Sequence, residues 1–437
     1  MAGTPHPSTI STKQQRIATL ARQMPDEALR TLAHHIDVDW LKEAWRQTRK
    51  GGATGIDGET AAAYAQDLEG NLAQLLDRSK SGLYRAPPVR RTYIPKADGN
   101  LRPLGIPTFE DKVLQRGFLM LLEPLYETVF LDCSYGFRPG RSAHQALEQL
   151  RRHLWRVGGG WVLDVDIRAF FDRMDHGVLR ELLQQRVRDG VVIRQIGKWL
   201  NAGVMEDGAL TRSDLGTPQG GVISPLLANI YLHYAVDEWF AVDVVSRLRG
   251  RAHLVRYADD FVMVFQHEDD ARRVLEVLPK RLSRFGLEVS PEKTRLVRFG
   301  RPSSDTDPPD SFDFLGFTFH WGVSREGRPT IRWKTAKKRL ARTLRSFWVY
   351  CRDNRHRPVQ VQHDALSRKL WGHYQYFGLT MNKRALDKVF DRVKAIWRYW
   401  LDRRSQKANM TWQRFKRFSK RLPLPKPQVV HSVFRTG

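Results

Sequence analysis

Two adjacent carboxylates interrupt an apolar stretch in the middle of the chain, and they constrain the fold more than any other feature. Asp259 and Asp260 lie at the centre of residues 254–265, between flanks rich in Val and Phe. Because the flanks lack a helical period, they favour two buried strands joined by a turn near Ala258 and Asp259. Burying two negative charges is costly unless a cation meets them. The pattern therefore indicates either a solvated turn or a divalent metal site, because carboxylate oxygens suit Mg²⁺ and Mn²⁺.

A second acidic segment, residues 161–172, also places carboxylates inside an apolar run. In a strand, Asp164 and Asp166 lie on the same face because side chains alternate. Asp259 and Asp260 point to opposite faces if both are extended. One carboxylate from each strand can then converge on two metal ions about 4 Å apart, an arrangement suited to in-line displacement at phosphorus.

The tetrapeptide Tyr257-Ala258-Asp259-Asp260 resembles the catalytic box of reverse transcriptases. The order of the surrounding motifs resembles that of bacterial group II intron-encoded reverse transcriptases, or maturases, from about Gly52 to the C-terminus. The resemblance implies an α+β fold of the right-hand polymerase type, with fingers, palm and a helical thumb. The implied activity is that of an RNA-directed DNA polymerase.

The resemblance also implies which residues are catalytic. Asp166 matches the family position in which Asp precedes Ile and a basic residue, and Asp164 is the alternative. Asp166, Asp259 and Asp260 would then be the catalytic and metal-binding residues, although Asp260 faces away if the turn is extended. The implied cofactor is Mg²⁺, with Mn²⁺ as a substitute.

The charge of the chain indicates a polyanionic partner. The formal net charge is +26, from 73 Lys and Arg against 47 Asp and Glu. Residues 331–437 hold 28 of these cations with 5 Asp and no Glu, whereas the first 330 residues are almost neutral. Six tryptophans are interleaved with this basic segment. Basic and aromatic residues with few acids favour nucleic acid over a membrane surface.

Two further features argue against other classes of protein. Cys133 and Cys351 are the only cysteines and form no C-x-x-C pair, so we expect neither a disulfide framework nor structural zinc. The sequence contains no signal peptide and no run of about 20 apolar residues, so we expect no membrane partner. We expect a bacterial cytoplasmic protein that associates with the nucleoid when it acts on DNA.

Lys96 and Arg102 flank an Asp98-Gly99 turn between two extended segments, which predicts a β-hairpin. The hairpin would bring the two cations together. Arg offers a planar fork and Lys a point charge, so the pair suits a triphosphate. A solvated hairpin tip is the alternative that these residues alone favour, whereas the family resemblance favours nucleotide binding.

Three more residues fall where the family contacts the incoming nucleotide. Phe171 matches the bulky side chain beneath the sugar, and an aromatic wall there would exclude a 2′-OH and select deoxynucleotides. Gln219 lies in residues 216–232, a glycine-rich turn that leads into a helix. Lys293 lies in residues 286–294, which resemble the next motif of the family's palm, where the lysine is close to the triphosphate. Core packing of Phe171 and a plain helix entry at residues 216–232 are the alternatives.

Arg138 belongs to a loop, residues 130–144, that enters a helix at Ser142. Arginines at a helix start can hold phosphate, and the family uses this loop beside the template and the incoming base. Arg138 is therefore a predicted nucleic-acid contact. Structural packing of Tyr135 and Phe137 is the alternative role of the loop.

We expect three domains: fingers and palm in residues 1–330, a helical thumb in residues 331–404, and a small basic DNA-binding tail in residues 405–437. Helical periodicity predicts three helices in the thumb, the region called domain X in maturases. The predicted nucleic-acid contacts are Trp371 in the thumb and, in the tail, Arg414, Lys416 and Arg417.

The resemblance implies two activities. The first is copying of intron RNA into cDNA by two-metal nucleotidyl transfer, which needs an RNA template, a DNA primer and dNTPs. The second is binding of the group II intron RNA, which assists its splicing and its mobility into target DNA. Because only 33 residues follow Arg404 and the chain has two cysteines, we expect no endonuclease domain.

Two rival functions stay open from the residues. An RNA-dependent RNA polymerase shares the palm carboxylates, but Phe171 argues against it. A host-domesticated relative that serves DNA repair or defence would carry the same residues. Intron RNA sequences flanking the gene would indicate a mobile-intron protein, and their absence would indicate a host-domesticated one.

Overall fold

A computed structural model describes residues 7–95, 101–206, 209–211, 215–216, 220–302, 309–324, 326–405 and 409–432. Lys96 and Gln219, both predicted to bind nucleotide, lie outside these ranges. Within them the α-helices are α1 (Pro7–Gln23), α2 (Val38–Gln47), α3 (Ala61–Tyr64), α4 (Leu68–Ser81), α5 (Phe109–Tyr126), α6 (Ala143–Arg156), α7 (Phe170–Arg173), α8 (His176–Gln184), α9 (Gly190–Leu200), α10 (Ser224–Leu232), α11 (Glu268–Ser283), α12 (Lys337–Asp353), α13 (Val359–Phe377), α14 (Lys383–Leu401) and α15 (Trp412–Arg421).

The strands of the described residues form three sheets. They are β1 (Val89–Pro95), β2 (Leu101–Ile106), β3 (Trp161–Val165), β4 (Val204–Glu206), β5 (Ala209–Thr211), β6 (Ala252–Tyr257), β7 (Asp260–Phe265), β8 (Arg295–Arg298), β9 (Phe312–Phe314), β10 (Phe317–Val323) and β11 (Pro329–Thr335). The strand orders are β2-β1-β4-β5, β6-β7-β3-β8 and β11-β10-β9. Both acidic segments of the sequence therefore lie in one sheet, where β3 is the neighbour of β7.

The chain divides into two compact units, and the first comprises Met1–Ala146 and Leu163–Leu296. Helix α11 packs against β7 in this unit. The β7 residues that follow Asp260 are all buried. Their Val and Phe side chains suit a buried strand, which accounts for the apolar flank of the acidic turn.

Side-chain caps fix two helices of the first unit. Thr108 Oγ1 accepts a hydrogen bond from the Asp111 N–H at the start of α5, and Asp175 Oδ1 accepts one from the Val178 N–H at the start of α8. Each cap satisfies an amide that the helix itself leaves unpaired. These caps set the starting points of helices that carry contacts to the candidate site.

The second unit comprises Leu147–Val162 and Val297–Gly437. Helix α14 packs against α12 and α13, and its Trp397 is completely buried. Three helices, α12, α13 and α14, lie in the region where helical periodicity predicts three helices. Trp333 on β11 is also buried, so aromatic residues of the basic segment contribute to its core.

The α+β fold class expected from the sequence is confirmed. The boundary between units differs from the expected change at residues 330 and 331, because the sheet of β9, β10 and β11 groups with the helices. The Trp333 indole donates to the Thr380 carbonyl at 2.8 Å, and the Thr335 N–H donates to Asn382 Oδ1 at 2.8 Å. These bonds join β11 to the segment between α13 and α14.

Neither cysteine is part of a disulfide bond. Cys133 is half-buried and Cys351 is buried, and burial raises the pKa of the Cys351 thiol to about 12. A thiol with such a pKa stays protonated at neutral pH and is a poor nucleophile. In the part of the chain that the structure describes, no helix has the length and apolarity needed to cross a membrane.

Candidate active site

The acidic turn lies at the tip of the β6–β7 hairpin. Tyr257 and Asp260 are the last paired residues, so Ala258 and Asp259 form a two-residue turn. Ala258 has a left-handed backbone with φ of 57°, as tight hairpin turns of this length require. The turn predicted from the sequence is confirmed.

A buried arginine supports this turn. Arg256 is fully buried, and its Nε donates to Asp237 Oδ1 at 2.7 Å. Its Nη1 donates to Asn229 Oδ1 at 2.9 Å and to Ala258 O at 3.0 Å. Sequence reasoning missed Asp237 and Asn229, although polar residues inside an apolar helical run are a signal of buried pairing.

The segment around Gly136 packs against the same turn. The Tyr135 N–H donates to Arg256 O at 2.9 Å, and Gly136 O accepts from Asn229 Nδ2 at 2.7 Å. A Cβ added at Gly136 would collide with the backbone nitrogen of Ala258. Glycine is therefore required for this close approach of two backbones.

Arg138 anchors that loop from within. Its side chain is 3% exposed, and it donates to the carboxylate of Glu127 and to the carbonyls of Leu131 and Ser134. A guanidinium has five N–H donors, and these contacts use four of them. The position does not support the predicted direct contact with nucleic acid, and Arg138 instead stabilises the loop.

Phe137, next to Arg138, is the residue that this loop presents to solvent. Its side chain is 60% exposed, its φ is 56°, and its ring centroid lies 6.3 Å from that of Tyr257. A left-handed backbone at a bulky residue is strained, and it persists only where the surroundings impose it. The sequence left structural packing of Phe137 open as an alternative. Its exposure beside the acidic turn instead makes it a candidate contact for a nucleic-acid base.

Asp166, at the end of β3, is fixed by a turn that precedes β8. Its N–H donates to Thr294 Oγ1 at 3.2 Å, and its carbonyl accepts from the Ser290 N–H at 2.8 Å. The same turn places Lys293 Nζ 3.1 Å from Asp166 Oδ2. The Lys293 side chain is 63% exposed. Two predicted site residues are thus in contact, and the lysine stays accessible to a ligand.

The other carboxylates of the site interact through their charges. Burial raises the pKa of Asp259, the charge of Asp166 adds to this effect, and Arg102 opposes it. Burial, followed by the negative charge of Asp259, raises the pKa of Asp260 to about 7. Asp166 and Asp164 act on Asp260 in the same direction. Asp260 is thus close enough to the other three carboxylates for their charges to act on it, while it keeps an exposed surface.

Asp164 has a cationic partner of its own. Its Oδ2 lies 3.2 Å from Arg295 Nε on the neighbouring strand β8. The carboxylates of Asp164 and Asp166 are therefore both opposed by basic side chains of the segment 293–295. The excess negative charge of the site is concentrated on Asp259 and Asp260.

These carboxylates fit a divalent cation by charge and donor type. Like charges that raise one another's pKa are relieved by a bound cation, and hard oxygen donors suit Mg²⁺. Among the described residues no three acidic, His or Cys side chains are already grouped at metal-ligand spacing. The ligand set proposed from the sequence, Asp166, Asp259 and Asp260, accordingly stays a prediction.

Phe171 lies where the acidic strand meets the glycine-rich box. Its side chain is half-buried, and its ring packs edge-to-face against that of Phe170, with ring centroids 5.2 Å apart. The Gly216 N–H donates to Met174 O at 2.8 Å, and the His176 ring contacts Gly216 O. These bonds tie the start of the box to the segment that follows Phe171.

The far end of the box is held by α5. Gln115 Oε1 accepts from the Val222 N–H at 2.7 Å, and Gln115 Nε2 donates to Asp111 Oδ2 at 2.9 Å. Gly220 has φ of 125°, and a Cβ there would lie 2.6 Å from Gly105 O on β2. Sequence reasoning missed Gln115, a buried amide in an apolar helix that holds the far end of the box through the amides of Val222 and Ile223.

Asp111 is the buried end of this network. It accepts from the Tyr84 hydroxyl at 2.8 Å and from the Trp199 indole at 2.6 Å. Burial raises its pKa to about 6 even though these hydrogen bonds favour the charged form. Asp111, which holds Gln115 against the glycine-rich box, therefore has a pKa above the usual range of Asp.

Arg102 lies on the β1–β2 hairpin and interacts electrostatically with the acidic turn. The two strands pair with Ile94 opposite Arg102, so the hairpin is confirmed, although its turn and Lys96 lie outside the described residues. Arg102 is exposed, and its charge lowers the pKa of both Asp259 and Asp260. The Arg102 cation therefore acts electrostatically on the acidic turn, and its predicted contact with a triphosphate stays a prediction.

The remaining predicted contacts belong to the second unit. Trp371 is 40% exposed, with its ring 6.2 Å from that of Tyr374. Helix α15 buries Phe415 against Trp397, with ring centroids 6.0 Å apart. That packing leaves the other faces of α15 in solvent, including the three predicted cations Arg414, Lys416 and Arg417.

Comparison with known proteins identifies the family. A family model for reverse transcriptase (RNA-dependent DNA polymerase) matches residues 94–319. Protein YkfC of Escherichia coli K12 is 34% identical over 362 residues, covering 74% of this chain and 91% of YkfC. Group II intron-encoded protein LtrA of Lactococcus lactis subsp. cremoris is 38% identical over 306 residues, covering 67% of this chain and 50% of LtrA.

The chain belongs to the reverse transcriptase family, an α+β right-hand polymerase class whose activity is RNA-directed DNA synthesis. Within the family it groups with the bacterial group II intron-encoded reverse transcriptases and maturases. A shorter match, 40% identity over 85 residues, links it to nuclear intron maturase 2, mitochondrial, of Arabidopsis thaliana, covering 20% of this chain and 11% of that protein. The family generally uses divalent metal ions.

Proposed function

We propose that the protein copies the RNA of a group II intron into cDNA and binds that RNA to assist its splicing and mobility. One observation carries the proposal: the acidic turn of β6 and β7 and the acidic end of β3 act on one another electrostatically, in a chain related to an intron-encoded protein. Asp166, Asp259 and Asp260 are the proposed catalytic residues.

The same three carboxylates would hold Mg²⁺, with Mn²⁺ as a substitute. When bound, the metal would activate the primer 3′-hydroxyl and stabilise the leaving pyrophosphate. The chain's own contribution is to fix the carboxylates before substrate arrives. Arg256 supports the turn through Ala258 O, and Thr294 orients the end of β3.

The incoming dNTP would contact five residues. Lys96, Arg102 and Lys293 offer cations to the triphosphate, which forms strong charge-assisted hydrogen bonds with such groups. Phe171 would lie beneath the sugar and exclude a 2′-OH. Gln219 would contact the nucleotide from the glycine-rich box. Electrostatic coupling of Arg102 to Asp259, and the contact of Lys293 with Asp166, support this arrangement.

The RNA template with its DNA primer, the intron RNA and the target DNA would share the basic surfaces. Trp371, Arg414, Lys416 and Arg417 are exposed in the second unit, and Phe137 is exposed beside the acidic turn. Aromatic faces bind bases and cations bind phosphates. We place this activity in the bacterial cytoplasm, at the nucleoid when target DNA is the substrate.

Primer extension tests the proposal. The purified protein, given an RNA template, an annealed DNA primer, Mg²⁺ and dNTPs, should lengthen the primer to the template end. No extension with either Mg²⁺ or Mn²⁺ would refute the polymerase assignment. Adding the protein to a transcript of the intron that flanks its gene tests the splicing role separately. Splicing that is no faster with protein would refute that role alone.

A further inference from the structure

A cavity of about 540 Å³ lies in the first unit between α11 and the segment that precedes β6, apart from the candidate active site. Its lining includes one aromatic, one acidic and five basic side chains together with aliphatic ones. None of the residues assigned above to metal, nucleotide or nucleic acid lines it. We call it the Trp239 pocket, after the aromatic residue in its wall.

The backbone of one wall departs from ordinary helix. Two π-helical segments, His233–Asp237 and Phe240–Val244, follow α10, and Trp239 lies between them. A π-helix has wider turns than an α-helix, is rare, and is frequently found at functional sites. The wider turns account for a half-buried Trp239 at the pocket rather than in the core.

The charges of the pocket are unbalanced. Of its cations, Arg273 is paired with Asp270, and Arg281 donates to the carbonyls of Ala235 and Tyr234. Three others are exposed and make no side-chain hydrogen bond or ion pair with any residue in the described ranges: Arg247, Lys280 and Arg284. The single acidic side chain of the lining is Asp243. The pocket therefore attracts an anion.

An apolar surface accompanies these cations. Val277 lines the pocket and is 42% exposed, and Val245, next to the π-helical wall, is 38% exposed. The Arg281 guanidinium lies 5.8 Å from the centre of the Trp239 ring and so braces one side of the indole. Cations beside an aromatic face and aliphatic side chains match the composition of single-stranded nucleic-acid sites.

We propose that the Trp239 pocket binds a single-stranded segment of RNA, with a base against Trp239 and Val277. The flanking phosphates would contact Lys280, in the last turn of α11, and Arg284, which caps the C-terminus of that helix in a helical conformation. Residues four apart in this geometry are neighbours. A duplex is too wide for a cavity of this volume, whereas one nucleotide fits. The inference rests on the proposed function only in taking RNA as the polymer.

Crosslinking with mapped products tests the proposal. A short single-stranded RNA that carries 4-thiouridine is irradiated with the full chain, after the polymerase cleft has been filled with unlabelled RNA template and DNA primer. The wild type should crosslink in the peptide that contains Trp239. The double variant Lys280→Glu/Arg284→Glu should give at least about tenfold less of this crosslinked peptide, because two phosphate contacts become repulsive.

The matched control is Lys80→Glu/Arg180→Glu, which reverses two exposed cations of the same unit outside the pocket. It should keep the Trp239 crosslink. Trp239→Leu offers a second variant that removes stacking and retains the charges, and it too should lose RNA binding at the pocket. Crosslinks in the second unit give an internal reference for the amount of folded protein in every sample.

Three results would overturn the proposal: no crosslink near Trp239 in the wild type, a crosslink unchanged in Lys280→Glu/Arg284→Glu, or equal displacement by poly-L-glutamate at matched charge. The last result would indicate an acidic protein partner. Primer extension by Lys280→Glu/Arg284→Glu should equal that of the wild type. A wild type that does not extend a primer refutes the polymerase assignment but leaves the crosslink result to be judged by itself.

Discussion

Arg256 and Ala258 are joined by a hydrogen bond of 3.0 Å from the guanidinium Nη1 to the backbone carbonyl. The bond links a fully buried cation to the left-handed residue that precedes Asp259. Asp237 is also completely buried and pairs with Arg256, so a buried ion pair holds the guanidinium that contacts the acidic turn. The Arg256–Asp237 ion pair thus links side-chain packing in the interior to the position of Asp259, a proposed metal ligand.

Breaking this pair should cost both stability and catalysis. We expect Asp237→Asn to lower the free energy of unfolding by about 3 to 5 kcal/mol, because it leaves the Arg256 charge buried without a counter-ion. The turnover rate of primer extension should fall while the affinity for RNA stays unchanged. Chemical denaturation and single-turnover extension measure the two effects. Arg256→Met/Asp237→Leu should be more stable than Asp237→Asn, and equal stabilities would contradict the pairing argument.

Sequence reasoning found the acidic hairpin because its signals are local. Alternation, the Val and Phe flanks, and the paired acids together specify two strands and a turn at Ala258 and Asp259. The support of that turn could not be predicted in the same way, since Asp237 and Asn229 reach Arg256 from another helical segment. Arg138 was misjudged for a related reason: a charged loop residue reads as exposed until its carbonyl and carboxylate partners are known.

Asp259→Asn should abolish primer extension. The substitution keeps the size of the side chain and removes the negative charge that a divalent cation needs. RNA affinity should stay within about twofold of wild type, because the basic second unit is unchanged. Gel-based extension and filter binding are the measurements. Asp269→Asn, an exposed carboxylate on α11, serves as the matched control, and extension by Asp259→Asn at the wild-type rate would remove this residue from the site.

Phe171→Ala should admit ribonucleotides. Removing the ring opens the space that a 2′-OH would occupy, so the preference for dNTP over rNTP should fall by about tenfold or more, the range expected when a steric contact in a pocket is lost. Competition between dNTP and rNTP in primer extension measures it. Phe171→Tyr keeps the ring and should keep the preference. An unchanged ratio in Phe171→Ala would show that Phe171 only packs against Phe170.

The buried Asp111 should make stability depend on pH between about 4 and 6. Its pKa of about 6 in the folded protein exceeds the ordinary value of 3.8 for an Asp side chain, so the folded state binds the proton more tightly than the unfolded state. The stabilisation is complete below the unfolded pKa and is lost as the pH rises through about 6. A shift of about two pKa units corresponds to about 3 kcal/mol. The unfolding temperature of wild type relative to Asp111→Asn should therefore fall as pH rises, and parallel curves would contradict the shift.

The functional network around Asp111 also shows where sequence information ends. A helix with Asp and Gln inside an apolar face predicts only that these polar groups find partners. It does not say that Gln115 meets the amide of Val222, more than a hundred positions later, or that Tyr84 and Trp199 close the network. Such pairings depend on tertiary packing, which periodicity does not encode. The same holds for the Trp239 pocket, where Arg247 and Arg284 come together from separate elements.

The basic tail should dominate the salt dependence of nucleic-acid binding. Helix α15 is held by burial of Phe415, so Arg414, Lys416 and Arg417 can be reversed in charge without loss of the core. The triple change to Glu should weaken binding of an RNA–DNA duplex and reduce the slope of log affinity against log salt by about 0.9 for each lost phosphate contact.

Titrations between about 50 and 200 mM salt would measure the slope for the wild type and for this variant. Reversal of Lys80, Arg180 and Arg272, three exposed cations of the first unit, changes the net charge by the same amount. If the slope of log affinity against log salt decreases equally in both triple variants, only the total charge of the protein matters. In that case α15 is not a specific contact surface. A loss confined to the α15 variant, with unchanged kcat for extension at saturating duplex, would assign this helix to binding rather than to chemistry.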